Sequence, residues 1–222
     1  MSHEGTYPPT PFMVEDIISS LCSTGHTPYI LTGEILRLCI QQWSDPERNV
    51  WNHKLKAEGL QWASSPTETQ ILIEPVWKYS VQAIQKRPAI YVKRNNMRMQ
   101  RRGIADGGLA VIREDVFKSR HRYSVQVVGS HSLFCVGSTG GEAEAIASEV
   151  WRHQLQFSPL IRRDLKLHDY LVAELGTINK LEESHEHFVV PIAITWVFYE
   201  TWFLTKEGPP LKTVELNMEG DG

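Results

Sequence analysis

Three short stretches carry residue types that could do chemistry. Residues 136–141 (VGSTGG) lead from an apolar run into a helical pattern, which is the layout of a phosphate-binding loop. Ser130, His131 and Ser132 place hydroxyls beside a base, as nucleophilic catalysis requires. His185 and His187 alternate like two metal ligands on one side of a strand. Each stretch has to be judged against the elements that would position it.

The glycine turn predicts a helix start rather than a phosphate site. Glu142 and Glu144 place negative charge in the first helical turn, where it would repel a phosphate. Neither GxxxxGK[ST] nor GxGxxG is present. Thr139 followed three residues later by Glu142 matches a capping box. The stretch therefore predicts Thr139 as the N-cap of an amphipathic helix over 140–157.

The two histidine stretches favour structural roles. Adjacent strand residues point to opposite faces, so neither Ser130 nor Ser132 can pair directly with His131, and GxSxG is missing. The pair His185 and His187 lacks an HExxH motif and a nearby cysteine, which favours a solvated strand start over a metal site. We therefore predict no catalytic, cofactor-binding or metal-binding residue, and we do not expect an enzyme.

Composition places the chain among globular proteins. Its 222 residues are 41% hydrophobic and 22% charged, which fits one domain with extensions or two small domains. The net charge of -3 gives no overall attraction to nucleic acid. No apolar run reaches the ~18 residues of a membrane span, and the polar start is unlike a signal peptide. Cys22, Cys39 and Cys135 show no CxxC spacing, so we expect reduced thiols in a cytoplasmic product.

Hydrophobic periodicity predicts an α+β fold. Residues 12–23 follow the helical repeat, 34–43 fit a helix or a strand, and 44–69 form a long excursion with little regular structure. Gly129-Ser130 indicates a tight hairpin or a bulged long strand. The β-rich segments are 69–77, 87–95, 122–129, 131–137, 167–176 and 187–204. We expect one mainly antiparallel sheet packed by an amphipathic helix (70–205), after a long N-terminal extension (1–69) and before a flexible tail (206–222).

The segment 187–204 predicts the most apolar strand. Pro191 cannot donate to a strand ladder, so it argues for a strand end, an edge or a bulge. Alternate positions form one large apolar face: Phe188, Val190, Ile192, Ile194, Trp196 and Phe198.

A run of basic residues is the strongest charge pattern. It has no acidic residue and consists of Lys86, Arg87, Lys93, Arg94, Arg98, Arg101 and Arg102. The run fits a solvated strand edge, a contact with an acidic protein, or a contact with DNA. Tyr91 is its only aromatic residue, so base stacking has little support. With a negative total charge, a protein contact is favoured over DNA.

The arrangement of segments resembles neck proteins of tailed bacteriophages, in particular the tail terminator (tail completion or tail-to-head joining) family. The resemblance rests on RPAIYVKRN, then YSVQVVGSHSLFCVGSTGGEAEAIASEVWRHQLQFSPLIR, then HFVVPIAITWVFYETW, and covers about residues 70–204. In that family a strand pair feeds a turn rich in Gly, Ala and Glu, then an amphipathic helix, then closing strands. It is a pattern of segments without a catalytic signature.

The resemblance implies a structural virion protein that forms a ring, typically of six copies. Such a ring caps the last tail-tube ring and joins it to the connector or stopper below the portal, in the neck of the virion. The implied partners are the chain itself, the tail-tube protein and the connector or stopper protein, and genomic DNA could pass through the ring. The family needs no cofactor and no membrane.

A ring needs one patch to meet a different patch on the next copy, so we expect the basic run and the long apolar strand to supply contacts. The candidate assembly contacts are Lys93, Arg94, Arg98, Arg101, Arg102, Trp196 and Phe198. Two alternatives stay open: another connector, stopper or baseplate subunit, and a nucleic-acid-binding protein that uses the basic run.

Overall fold

The computed structural model of the chain describes residues 27–100, 110–115, 120–182 and 184–205. Its helices are α1 (Thr27–Ser44), α2 (Pro46–Asn49), α3 (His53–Ala57), α4 (Val81–Ile84) and α5 (Gly140–Asp164), with a 3-10 turn at Val76–Lys78. Its strands are β1 (Leu72–Pro75), β2 (Ala89–Gln100), β3 (Ala110–Asp115), β4 (Arg120–Gly137), β5 (Asp169–Leu175), β6 (Asn179–Leu181) and β7 (Ser184–Thr205). The expected α+β class is confirmed. The helix expected over 12–23 lies outside the described residues.

All the strands join one sheet in the order β1-β2-β4-β7-β5. Only β1 and β2 pair in parallel; every other pairing is antiparallel, as expected. β3 continues the line of β2 along the same edge of β4, and β6 continues the line of β5 along β7. β4 and β7 pair from Arg120 with Thr205 to Gly137 with Phe188 without a break in register. This long strand pair is the centre of the sheet.

α1 and α5 cover one face of the sheet. α5 packs on β4, β5 and β7, and α1 packs on β1 and β2. Leu31, Ile35, Cys39 and Trp43 of α1 share one hydrophobic core with Ile146 and Val150 of α5 and with the sheet residues Ile90, Leu133, Ile192 and Ile194. The segment 34–43 is therefore a helix. It belongs to the same core as the residues after 70, whereas an extension separate from that core was expected over 1–69.

The Gly129-Ser130 pair lies within one long strand, as the second of the two predicted alternatives had it, and not in a tight hairpin. Both residues lie inside β4, which runs straight through them and pairs with Trp196 and Thr195 of β7. A Cβ atom at Gly129 would lie 2.4 Å from the Trp196 ring. The glycine is therefore required by cross-strand packing, because a side chain there would occupy the space of the indole.

Pro191 lies in the middle of β7, between two neighbouring strands, and not at a strand end or sheet edge. Its carbonyl oxygen accepts from Gly176 N at 2.7 Å. The N and O of one residue in an antiparallel strand point to the same neighbour, so the missing N–H also faces this side. β5 ends at Leu175 opposite Ile192, and β6 begins at Asn179 opposite Val189. Pro191 therefore faces the gap between the end of β5 and the start of β6. No strand residue there needs a hydrogen bond from its backbone nitrogen.

α5 is longer than the predicted 140–157 because Pro159 does not end it. A proline has no N–H to donate to the carbonyl four residues earlier, which here is Leu155 O. Ser158 Oγ donates to that oxygen instead, at 3.0 Å. The helix therefore continues to Asp164, and Lys166 reverses the chain with a φ of 53°.

Candidate assembly surface

Thr139 caps α5 as predicted. Its Oγ1 accepts from Glu142 N at 3.1 Å. The returning contact is displaced by one residue, because Glu142 Oε2 accepts from the N and Oγ of Ser138, at 2.6 Å and 2.7 Å, and not from the backbone of Thr139. A Cβ at Gly137 would lie 2.8 Å from Ala143 N, so this glycine allows the strand to meet the helix closely. The carboxylate of Glu142 therefore holds the turn before the helix, and its negative charge opposes a phosphate there.

His131 lies at the centre of a buried polar network. Trp196 Nε1 donates to His131 Nδ1 at 2.9 Å. Since Nδ1 accepts, the ring proton is on Nε2, which donates to Thr32 Oγ1 at 2.8 Å. Burial, with the charge of Arg94 nearby, lowers the pKa of His131 to about 4. The ring is therefore a neutral connector that ties α1 to β4 and β7.

Local sequence could not reveal this network. Its partners lie 99 and 65 residues from His131 along the chain. Ser130 and Ser132 point to the other face, as predicted, where their hydroxyls accept from Asn95 Nδ2 at 3.2 Å and 2.9 Å. The stretch Ser130–Ser132 therefore makes hydrogen bonds on both faces of the sheet.

The sequence pattern also did not reveal the buried polar residues of α5. Glu149 is 2% exposed; it accepts from Trp51 N at 2.9 Å and from Arg152 Nη1 at 2.7 Å. Gln154, fully buried, accepts from Tyr170 Oη at 2.8 Å. Leu155, although apolar, is 37% exposed. The helical repeat gave the direction of the buried stripe, but not the polar contacts that the loop after α2 and strand β5 bring to it.

Two of the predicted contact residues belong to the core of this subunit. Trp196 is fully buried and Phe198 is 3% exposed, and their rings stack at a centroid distance of 5.6 Å. Neither can touch another subunit while the sheet keeps its helix layer. The apolar strand face that suggested a contact is covered by this chain's own helices, and this corrects the expectation for both residues.

The described part of the basic run is divided among different surroundings. Arg87 Nη1 donates to the carbonyl oxygens of Pro66 and Thr69, at 2.8 Å and 2.5 Å, and so ties a loop. Arg94 is opposite His131 and lies towards α1, whereas Lys93 is on the uncovered face. Lys93, Arg94 and Arg98 are all exposed. Arg101 and Arg102 lie outside the described residues.

A bulge in β2 sets the directions of the later residues. Arg94 is opposite His131 and Met97 is opposite Gly129, so β2 carries one extra residue between them. Met97 and Met99 consequently lie on the helix side, at 41% and 53% exposure, and Arg98 lies on the uncovered side with Lys93. Among the described strands, β1 covers the outer edge of β2 only from Ala89 to Val92.

The uncovered face of the sheet has two parts. One end is closed by a small cluster in which Ile84 and Tyr79 pack over Tyr91 and Val136. A cavity of about 550 Å³ opens beside it, with Lys93 and Lys180 among its lining residues. The other part carries the serines of β4, with Leu171 of β5 at 53% exposure. This mixture of exposed apolar and cationic side chains can contact a protein surface.

The described residues hold little that could bind a metal or span a membrane. No three His, Cys, Asp or Glu side chains among them are grouped as a metal site requires. His187 Nδ1 is 2.7 Å from Ser184 Oγ, a contact that closes the start of β7. No helix in the described ranges is long and apolar enough to cross a bilayer.

Comparison with known proteins adds no relative: no protein-family model and no curated protein matches the chain.

Proposed function

We propose that the protein is a structural subunit of a tailed-phage neck, a tail terminator that forms a ring, caps the tail tube and joins it to the connector or stopper. The resemblance in the order of segments supports this proposal, and the α+β fold agrees with the class that it implies. The role is assembly, so the proposal requires no cofactor and no catalytic residue.

One observation carries the assembly role: the β4–β7 pair is longer than the helix that packs on it. Eighteen paired residues span about 59 Å at ~3.3 Å per residue. The 25 residues of α5 span about 38 Å at ~1.5 Å per residue. The strand pair is therefore longer than α5, and we infer that part of it meets a neighbour. In a ring, the open face or the basic edge of one copy would meet a different patch on the next.

The division of the basic run favours a protein contact over a nucleic-acid groove. Phosphate binding along a strand needs several cations on one side. In the described part of the run, Arg94 lies opposite in direction to Lys93 and Arg98, and Arg87 is occupied by carbonyl groups. Two cations on the open face suit complementary carboxylates on a neighbour.

Native mass spectrometry and reconstitution of tails with purified subunit test the proposal. We expect a discrete ring and joining of tails to heads. Replacing Arg98, Arg101 and Arg102 by Glu should impair both. Circular dichroism should stay unchanged, because Arg98 is exposed and an exposed charge contributes little to folding. Arg162→Glu, an exposed charge near the end of α5, is the matched control. A monomer that binds DNA with a strong salt dependence would favour the nucleic-acid alternative instead.

A further inference from the structure

The outer edge of β2 beyond Val92 has no strand partner among the described residues. An unpaired edge presents N–H and C=O groups that can accept another strand, and proteins guard such edges with charges and bulges. This edge has both features: the charged residues are Lys93, Arg94 and Arg98, and the bulge is at Asn95–Asn96. Positively charged side chains at an unpaired edge disfavour pairing with basic or uncharged strands. They favour pairing with a strand that carries acidic side chains.

The chain contains one acidic segment with the period of a strand. Residues 213–219 (TVELNME) alternate: Val214, Leu216 and Met218 are apolar, and Glu215 and Glu219 are acidic. This segment lies in the tail that follows β7, outside the described residues.

We propose that residues 213–219 of one copy add as an antiparallel strand to the edge Lys93–Gln100 of a neighbouring copy. With Leu216 opposite Met97, Val214 falls opposite Met99 and Glu215 opposite Arg98. The two exposed methionines then gain apolar partners on the helix side, while the carboxylate of Glu215 meets the guanidinium on the open side.

The bulge completes the same register. Its extra residue on β2 lets one residue of the added strand face two, Asn95 and Asn96. Met218 then falls opposite Arg94, and Glu219 falls opposite Lys93 on the open face. A single register therefore satisfies two ion pairs and two apolar pairs. Without the bulge, Glu219 would be opposite Arg94 and on the helix side, which is away from Lys93.

Distance favours a neighbour over the same copy. Gln100 is in register with Gln126 and then Tyr199, and Thr205 lies six residues further along β7. Reaching the β2 edge from Thr205 takes about 20 Å along the strands and about 14 Å across them, or roughly 25 Å directly. The chain from 205 to 213 extends to about 26–29 Å only when straight. It would have to be drawn taut across the sheet, whereas a second copy removes this restriction.

Disulfide trapping tests the proposal. In a Cys22→Ser background, one protein carries Met97→Cys and a second carries Leu216→Cys; Cys39 and Cys135 are buried. We expect the oxidised mixture to give a product of twice the 25.4 kDa subunit mass, which reduction removes. Glu174→Cys, exposed on β5 at the opposite edge of the sheet, replaces Met97→Cys as the matched control and should give only traces.

Charge exchange gives a second measurement. Arg98→Glu alone and Glu215→Arg alone should each lower the ring fraction, and the two together should restore it. A doubly substituted chain (Met97→Cys, Leu216→Cys) that closes only on itself would overturn the proposal, as would equal trapping of Glu174→Cys.

The inference rests on the proposed function only in needing a second copy, and the two fail differently. A wild-type monomer would overturn the ring itself. A ring that persists after removal of residues 206–222, together with failure of the full-length Met97→Cys and Leu216→Cys proteins to form the disulfide, would overturn strand addition alone.

Discussion

The two faces of the sheet differ in chemistry although the same strands supply both. Leu133 and Cys135 of β4 are fully buried under the helices, whereas Ser130 and Ser132 face outward. His131 of β4 is also buried there, and both of its ring nitrogens are hydrogen-bonded. The covered face holds the larger hydrophobic core and the open face holds the smaller cluster around Tyr91 and Val136, so we expect the covered face to contribute more to folding. The predictions below test this division, beginning with the largest expected effect.

Truncating Trp196 should cost the most. Trp196→Ala removes a fully buried indole and the donor to His131 Nδ1, so we expect a loss of about 3–5 kcal/mol in the free energy of unfolding. Thr195→Ala, the next residue on the opposite face, should stay within about 0.5 kcal/mol. Urea denaturation measures both. Equal costs would contradict the division between the faces.

Lowering the pH should give the second-largest loss in the free energy of unfolding, through a histidine on the covered face. His131 has a pKa of about 4 when folded and an ordinary value near 6.5 when unfolded, so the unfolded state binds more protons between these values. Its contribution to stability is complete above pH 6.5 and is lost as the pH falls through 4, by at most about 3 kcal/mol. His153, whose pKa burial also lowers to about 4, adds in the same direction.

Urea denaturation in steps from pH 7.5 to pH 4 measures this loss. His131→Gln should remove part of the slope of stability against pH, and His131→Gln with His153→Gln should remove more. If the slope is the same in both variants and in the wild type, neither ring is neutral in the folded state.

A methyl group at Gly129 should cost about 1–3 kcal/mol, because it collides with the Trp196 ring. The same substitution in a Trp196→Ala background should cost little, since the obstacle is gone. Gly141→Ala is the control: nothing lies within 4 Å of its added Cβ. Purely additive costs in the double-mutant cycle would show that the glycine serves some purpose other than admitting the indole.

The smallest effect on folding should come from Leu171 on the open face. At 53% exposure, Leu171→Ser should change stability by no more than about 0.5 kcal/mol, whereas Val172→Ser, the adjacent residue at 6% exposure, should be far more costly. Thermal melts compare the two. Native mass spectrometry of Leu171→Ser then shows whether the open face contributes to the ring, and a melting temperature as low as that of Val172→Ser would place Leu171 in the core.

Periodicity determined the fold class and the apolar face of the strand that became β7, and the capping box determined Thr139 as the N-cap of α5. These depend on contacts between residues close in sequence, or on the alternation of a strand, and both can be read locally. The alternation likewise predicted that Ser130 and His131 would point in opposite directions.

Only the tertiary structure decided what covers that apolar face, and therefore that Trp196 and Phe198 are core residues and not contacts. It also gave Gly129 its reason. The local sequence allowed a tight hairpin or a bulged long strand at Gly129, because glycine is common in both. The Trp196 ring that requires the glycine comes from 67 positions further along the chain. The basic run was a single feature in the sequence, but a strand sends alternate side chains to opposite faces, and one bulge changes that assignment. Which charges share a surface depends on register with a distant strand, and local sequence does not encode register.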